Sequence, residues 1–373
     1  MAILELEQIY NVNDFEISWN SLLAKSFDNN PFLTYEWLIA WSKHFGKGKE
    51  IKLFTIENNG KVSLAIPVSY TTNKFFGTKH NEVRFAGAPD SDYQVFLITN
   101  LQEASRNFSH LIENIIEDSG ADNISFTDVP EDSATAKLLE NISEKRVGVS
   151  GSTINQCPYV PLPNNYETFL QNLGSNMRRN LKIWEKQASK DYRIKFVRYD
   201  EIGSVDEAMK IFFRLHQKRQ VAKGEYGVFA NDINQSFHMD IAKSFAKRDW
   251  LALFILTFND TPVAAVYSFE YGHKLYAYLS GFDPEYSIFR PGHLAFSKIM
   301  QYGIRKNITQ FDFLRGDEEY KARWKTTVRH NLKFNIANNG LRSRFYNWGV
   351  ESKPLSHLYN AATFLSRSTH NQK

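Results

Sequence analysis

The sequence predicts a mixed α/β (α+β) protein of two similar halves, and three observations lead there. Its 373 residues exceed one domain of about 100–200 residues. Each half repeats one coarse order: helix, β-hairpin or meander, helix, strand. The strands of each half are separated by turn-forming dipeptides, which join neighbours and so favour antiparallel pairing.

In the first half, PFLTYEWLIAWSKHFG (31–46) sets Phe32, Trp37, Leu38, Trp41 and Phe45 at helical spacing, and Gly46 ends the run. Ile51 to Glu57 and Lys61 to Tyr70 follow as strands around Asn58-Asn59-Gly60. A helix over 106–119 carries Phe108, Leu111, Ile112, Ile115 and Ile116 on one side, and a strand follows over 123–128. Pro158, Pro161 and Pro163 then resist both helix and central strand, which places a domain boundary at 151–165.

The second half opens with one long basic helix over 166–189 and a strand over 192–199. Helices over 206–222 and 234–246 come next. Strands over 250–258, 262–271 and 274–280 form a meander turning at Asn259-Asp260 and Gly272-His273. A helix over 292–304 and a strand over 310–314 complete the half. The expected domains are 1–155 and 156–345, with a tail over 346–373.

Composition narrows the function. Lys+Arg 45 against Asp+Glu 41 gives +4, too little over this length for a DNA-binding chain. One cysteine, Cys157, permits neither an internal disulfide nor a cysteine zinc cluster, which suits a reducing cytoplasm. No stretch approaches the ~20 apolar residues of a membrane span. HxxxH, HExxH and GxSxG spacings are absent, so neither a catalytic metal nor a serine triad is expected.

Three clusters could carry chemistry. In DFLRGDEEYKARW (312–324) a strand ends at Asp312, Gly316 allows a turn, and Asp317, Glu318 and Glu319 enter a helix whose dipole they suit. In GFDPEYSIFRPGHL (281–294) a loop runs into a helix start at Pro291-Gly292-His293 beside Arg290, where free N–H groups can hold an anion. In SNMRRNLK (175–182) Arg178, Arg179 and Lys182 form either a solvated cationic face or a grip on an anionic substrate or RNA.

GFDPEYSIFRPGHLAFSKIMQYGI (281–304) together with FDFLRGDEEYKARW (311–324) resembles the CelD-like branch of the GNAT acyltransferase superfamily, related to Fem-type aminoacyltransferases. PFLTYEWLIAWSKHFG (31–46), AGAPDSDYQVFL (86–97) and MRRNLKIWEK (177–186) resemble further family segments, so the likeness spans roughly 15–335. It implies tandem GNAT-like domains, each a mixed, mostly antiparallel sheet flanked by helices. It also implies an acyl-CoA donor, acetyl-CoA first, and a link to exopolysaccharide biosynthesis. The chain departs from the family in having Arg290 before Pro291-Gly292 and in lacking an Arg/Gln-x-x-Gly-x-Gly/Ala phosphate loop.

Direct acyl transfer needs a held donor, a polarised carbonyl and removal of the acceptor's proton. From their position after a strand, Asp312 or Glu319 is the expected base or acceptor-orienting carboxylate and Tyr320 the acid to the leaving group. Arg315, Lys321, Asp92, Tyr93, Arg178 and Arg179 would bind substrate, and Arg290, Pro291, Gly292 and His293 the donor. The expected acceptor is an amine or hydroxyl of a sugar or glycan precursor. Two alternatives remain open: an aminoacyl-tRNA-dependent Fem-like ligase, and an inactive GNAT-like binding module.

Overall fold

The computed structural model describes residues 2–5, 13–75, 78–144, 148–201, 203–338 and 340. In chain order the strands are β1 (Ala2–Glu5), β2 (Ile51–Asn58), β3 (Lys61–Phe75), β4 (Thr78–Phe85), β5 (Leu97–Ile98), β6 (Asn123–Pro130), β7 (Val149–Pro161), β8 (Ile194–Arg198), β9 (Leu251–Phe258), β10 (Thr261–Tyr271), β11 (Lys274–Phe282), β12 (Gln310–Asp312) and β13 (Thr327–Ala337). The helices are α1 (Asn13–Lys25), α2 (Tyr35–Phe45), α3 (Leu101–Ser119), α4 (Ala134–Ser143), α5 (Tyr166–Asn172), α6 (Ser175–Asp191), α7 (Val205–Ala222), α8 (Asp232–Lys247), α9 (Pro291–Arg305) and α10 (Glu319–Ala322).

Two compact units emerge. One comprises the chain up to Asn29, Gly46–Ile154 and the chain from Asn331; the other comprises Asn30–Phe45 and Asn155–His330. Neither unit is a single run of chain, unlike the expected domains, and the tail over 346–373 lies outside the described residues. In the first unit the strand order is β1-β2-β3-β4-β6-β13, antiparallel except for the parallel pair β4–β6. In the second it is β7-β12-β11-β10-β9-β8, antiparallel except for the parallel pair β11–β12. Each unit is thus a meander, a helix, a parallel strand and a closing antiparallel strand. The closing strand comes from outside the run, β13 in one case and β7 in the other.

The turns follow from their residues. Asn59 and Gly60, Asn259 and Asp260, and Gly272 and His273 all have positive φ, the backbone of the tight hairpin turns that suit twisted strands. Proline did not stop β7. A proline lacks only the N–H, and the carbonyl of Pro158 accepts from the Phe313 amide at 2.9 Å while Pro161 pairs with Gln310 at the strand's end. The basic helix expected over 166–189 is broken at Leu173-Gly174 into α5 and α6.

Aromatic packing explains why α2 belongs to the second unit. Trp37, 1% exposed, meets Phe237, Phe269 and Tyr278 with ring centroids 5.3, 6.0 and 5.7 Å away. Burial of one such ring is worth roughly 2–3 kcal/mol.

Behind the same sheet, His216 and His238 flank the Phe229 ring at 4.8 and 5.3 Å. Burial lowers His216 to about 4 and His238 to about 3, with the nearby cations Arg219 and Lys223 adding to the first. Both are therefore neutral in the fold at pH 7. Unfolded histidine titrates near 6.5, so between that value and about 4 the unfolded chain binds more protons and the fold loses stability. We expect the urea midpoint to hold above about pH 6.5 and to fall steadily toward pH 4, a loss that His238→Gln should blunt.

Candidate functional site

The site is built at the start of α9. Asp283 ends β11's turn: its carboxylate accepts from the Glu285 amide at 3.3 Å and from Lys218 Nζ at 2.6 Å, pinning the short turn over Pro284–Phe289. Arg290 then takes a left-handed conformation, φ 52 and ψ 50, and its carbonyl accepts from the amides of His293 and Leu294 at 3.0 and 3.2 Å. Pro291 has no N–H to satisfy and suits the first helical position. The amide of Gly292 is left at the helix's positive end.

The corresponding helix of the first unit begins differently. Asn100 caps α3, its side chain accepting from the Glu103 amide at 3.1 Å, whereas no side chain caps α9. The α9 start lines a pocket of about 160 Å³, together with Arg219, Ser280, Phe282, Phe296 and Tyr320.

Close packing brings Arg219 there. A Cβ placed on Gly281 would lie 2.2 Å from the backbone nitrogen of His216, so α7 rests directly on the β11 backbone. Arg219, nearly one turn further along α7, therefore reaches Ser280 and donates from Nη1 to its carbonyl at 3.1 Å and its hydroxyl at 2.9 Å. The guanidinium also lies over the Phe282 ring, 5.6 Å from its centroid.

Tyr320 forms another wall, stacked on Phe296 with centroids 5.8 Å apart. Burial raises its pKa above the usual value, Glu318 adding to the effect, and the phenol stays protonated. His293 is stacked against Trp184 at 5.3 Å. Burial, with Arg323 and Arg290 nearby, lowers it to about 4, so it is a neutral imidazole at pH 7. The pocket presents hydrogen-bond donors, and no carboxylate is among its lining residues.

Other expected site residues have different settings. Asp312 is 0% exposed; its carboxylate accepts from the Leu314 amide at 2.8 Å and from Gln310 at 3.0 Å, and Arg329 lies 3.4 Å away. These bonds hold Leu314 in its left-handed conformation, φ 58. Glu319 is exposed and paired with Arg323 at 2.8 Å, which lowers its pKa. Neither carboxylate lines the pocket.

Lys321, expected to hold an anionic group, is 3% exposed. Its ammonium donates to the carbonyls of Arg315, Gly316 and Leu314 at 2.6, 3.3 and 3.4 Å and meets Glu318 at 2.8 Å. The charge is spent on the loop that carries it. Arg315 is half-buried in that same loop.

Asp92 and Tyr93 are buried in the first unit, where the Asp92 carbonyl accepts from Asn331 at 2.7 Å. Arg178 is half-buried and Arg179 exposed on α6; neither lines the α9 pocket. Sequence reasoning missed Arg219, Ser280, Ser287, Phe282 and Phe296. Phe282, Ser287 and Phe296 lay unnamed within the 281–304 segment, and the one signal for Arg219 and Ser280 was a glycine, Gly281, at the end of a strand.

Among the described residues no group of three or more His, Cys, Asp or Glu is placed to hold a metal ion, and no helix is long and apolar enough to cross a membrane. Residues 175–322 match a family model described as an acetyltransferase (GNAT) domain. No curated protein matches the chain. The crystal structure of FemX aligns over 91% of this chain and 98% of its own, with TM-score 0.64 and 13% identity. A conserved Bacteroides thetaiotaomicron protein of unknown function aligns over 87% and 97%, with TM-score 0.57 and 11% identity. A tandem GNAT protein from the clavulanic acid biosynthesis pathway aligns over 89% and 97%, with TM-score 0.50 and 9% identity. The chain thus contains a region similar to the acetyltransferase (GNAT) domain, in a fold shared with FemX and with a tandem GNAT protein.

Proposed function

We propose that the protein transfers an acyl group, acetyl first, from an acyl-CoA to an amine or hydroxyl of a small-molecule or glycan-precursor acceptor. The observation that carries this reading is the uncapped α9 start opening into a donor-lined pocket within the region that matches a GNAT acetyltransferase domain. The cationic rim at Arg290 and the Gly292 amide suit an anionic part of the donor. Placement in the CelD-like branch, a role in exopolysaccharide assembly and a cytoplasmic site of action belong to the same proposal. They rest on the 281–304 and 311–324 segments and on the single cysteine.

In this mechanism the acceptor's nitrogen or oxygen attacks the thioester carbonyl carbon, the C–S bond breaks, and the acyl group passes directly to the acceptor. Tyr320 holds the leaving sulfur by a hydrogen bond. Its pKa lies above 10 and that of a thiol near 8.5, so the phenol does not surrender its proton. The acceptor's proton passes to water, because neither Asp312 nor Glu319 lines the pocket. Lys321 acts on Tyr320 from behind, by fixing the 314–318 loop.

Incubation with acetyl-CoA, longer acyl-CoAs and aminoacyl-tRNA, followed by thermal unfolding, tests the donor. Protection by acyl-CoA together with thiol release in the presence of an amine acceptor supports the proposal. Protection by charged tRNA alone transfers it to the Fem-like ligase, and protection by neither supports a binding module. Tyr320→Phe is expected to keep donor affinity and lower turnover about 10- to 100-fold, the loss of one hydrogen bond made to the leaving group.

A further inference from the structure

Arg219 is a half-buried guanidinium that forms no ion pair among the described residues. Its hydrogen bonds go to a neutral carbonyl and a hydroxyl of Ser280, its Nε is buried without a partner, and none of the described carboxylates forms an ion pair with it. Glu318, the acid that feels its charge, is committed to Lys321 at 2.8 Å. A desolvated cation without a counter-charge is costly, and a ligand anion removes that cost.

The surroundings narrow the anion. Arg219 faces a pocket of about 160 Å³ whose other walls include the rings of Phe282, Phe296 and Tyr320. Nη1 is taken by Ser280 and Nε is enclosed, which leaves Nη2, with the Tyr320 phenol as a further donor on the pocket wall. Arg290 and the Gly292 amide, at the start of α9, remain for the donor's diphosphate, whereas the one free Nη2 of Arg219 among apolar rings is too little for a diphosphate. A single carboxylate on a small apolar body matches both the charge and the walls.

We propose that Arg219 is the specificity-determining cation of this pocket and that it binds a carboxylate carried by one of the two substrates. The inference rests on the acyltransferase reading for what those substrates are. The carboxylate is either the free end of an acidic acyl group or the α-carboxylate of an amino-acid acceptor. Two matched pairs separate these sources: succinyl-CoA against butanoyl-CoA, and leucine against leucinamide.

Isothermal titration of the wild-type protein with all four compounds should show one pair in which the carboxylate member binds at least tenfold tighter. Arg219→Gln should abolish that preference, and Arg219→Lys should restore part of it. Ser280→Ala, which keeps the charge but removes the hydroxyl that helps orient the guanidinium, should weaken the preference a fewfold and supplies the answer if Arg219→Gln fails to fold. Equal binding within both pairs, or a preference that survives in Arg219→Gln and in Ser280→Ala, overturns the proposal. If both CoA thioesters bind equally and leucine binds no better than leucinamide, the inference falls and the acyltransferase reading stands. If neither thioester binds while leucine does so through Arg219, the reading falls and the inference stands.

Discussion

Lys321→Met should lower stability by about 3 kcal/mol, read as a fall in the urea midpoint. The substitution removes the ammonium around which Arg315, Gly316 and Leu314 direct their carbonyls, and it leaves Glu318 without its 2.8 Å partner. Breaking a buried pair from one side costs about 3–5 kcal/mol, and half-exposure of Glu318 places this case at the low end. The neighbouring backbone is itself constrained, with Leu314 at φ 58 and Gly316 at φ 119. Loss of the ammonium therefore loosens the loop that seats Tyr320, and donor affinity should drop with stability. A Lys321→Met protein as stable as wild type but unable to bind donor would place the ammonium on the ligand instead.

Gly281→Ala should be at least as damaging, by about 3 kcal/mol or more. The added methyl would meet backbone atoms of His216 and Leu215 at 2.2 to 2.5 Å, and backbone cannot rotate away as a side chain can. Relief requires α7 to lift from β11. That movement carries Arg219 away from Ser280, so the soluble fraction should also lose the pocket's anion binding. A Gly281→Ala midpoint within about 0.5 kcal/mol of wild type would show that the helix has room to shift.

Much of the fold was legible because its signals are local. Asn58-Asn59-Gly60, Asn259-Asp260 and Gly272-His273 marked hairpins from residue type alone, and the runs between them became β2–β3 and β9–β11. The start of α9 was legible for the same reason, since Pro291-Gly292 announces a first helical turn. What escaped depends on chain that is distant in sequence. Strand β7 forms although Pro158 lies within it, because the Phe313 amide, just beyond β12, takes up the proline's carbonyl.

The helix α2 joins the second unit through Phe237 and Phe269, about 200 residues further on. Arg219 carries no signal within FFRLHQKR, because only the contact with Gly281 gives it a destination. Lys321 was legible as a charge but not as a loop clamp. The three carbonyls it gathers are main-chain groups that carry no residue signature.

On the proposed function, an acyl-CoA donor docks at the start of α9. Amide hydrogen exchange with and without saturating acetyl-CoA addresses it without needing the acceptor. Slowed exchange is expected in peptides covering Arg290–Phe296 and the segment around Tyr320, where the uncapped amide of Gly292 and the pocket wall would meet the ligand. Acetyl-CoA binding that protects other segments and leaves these two unchanged would contradict it.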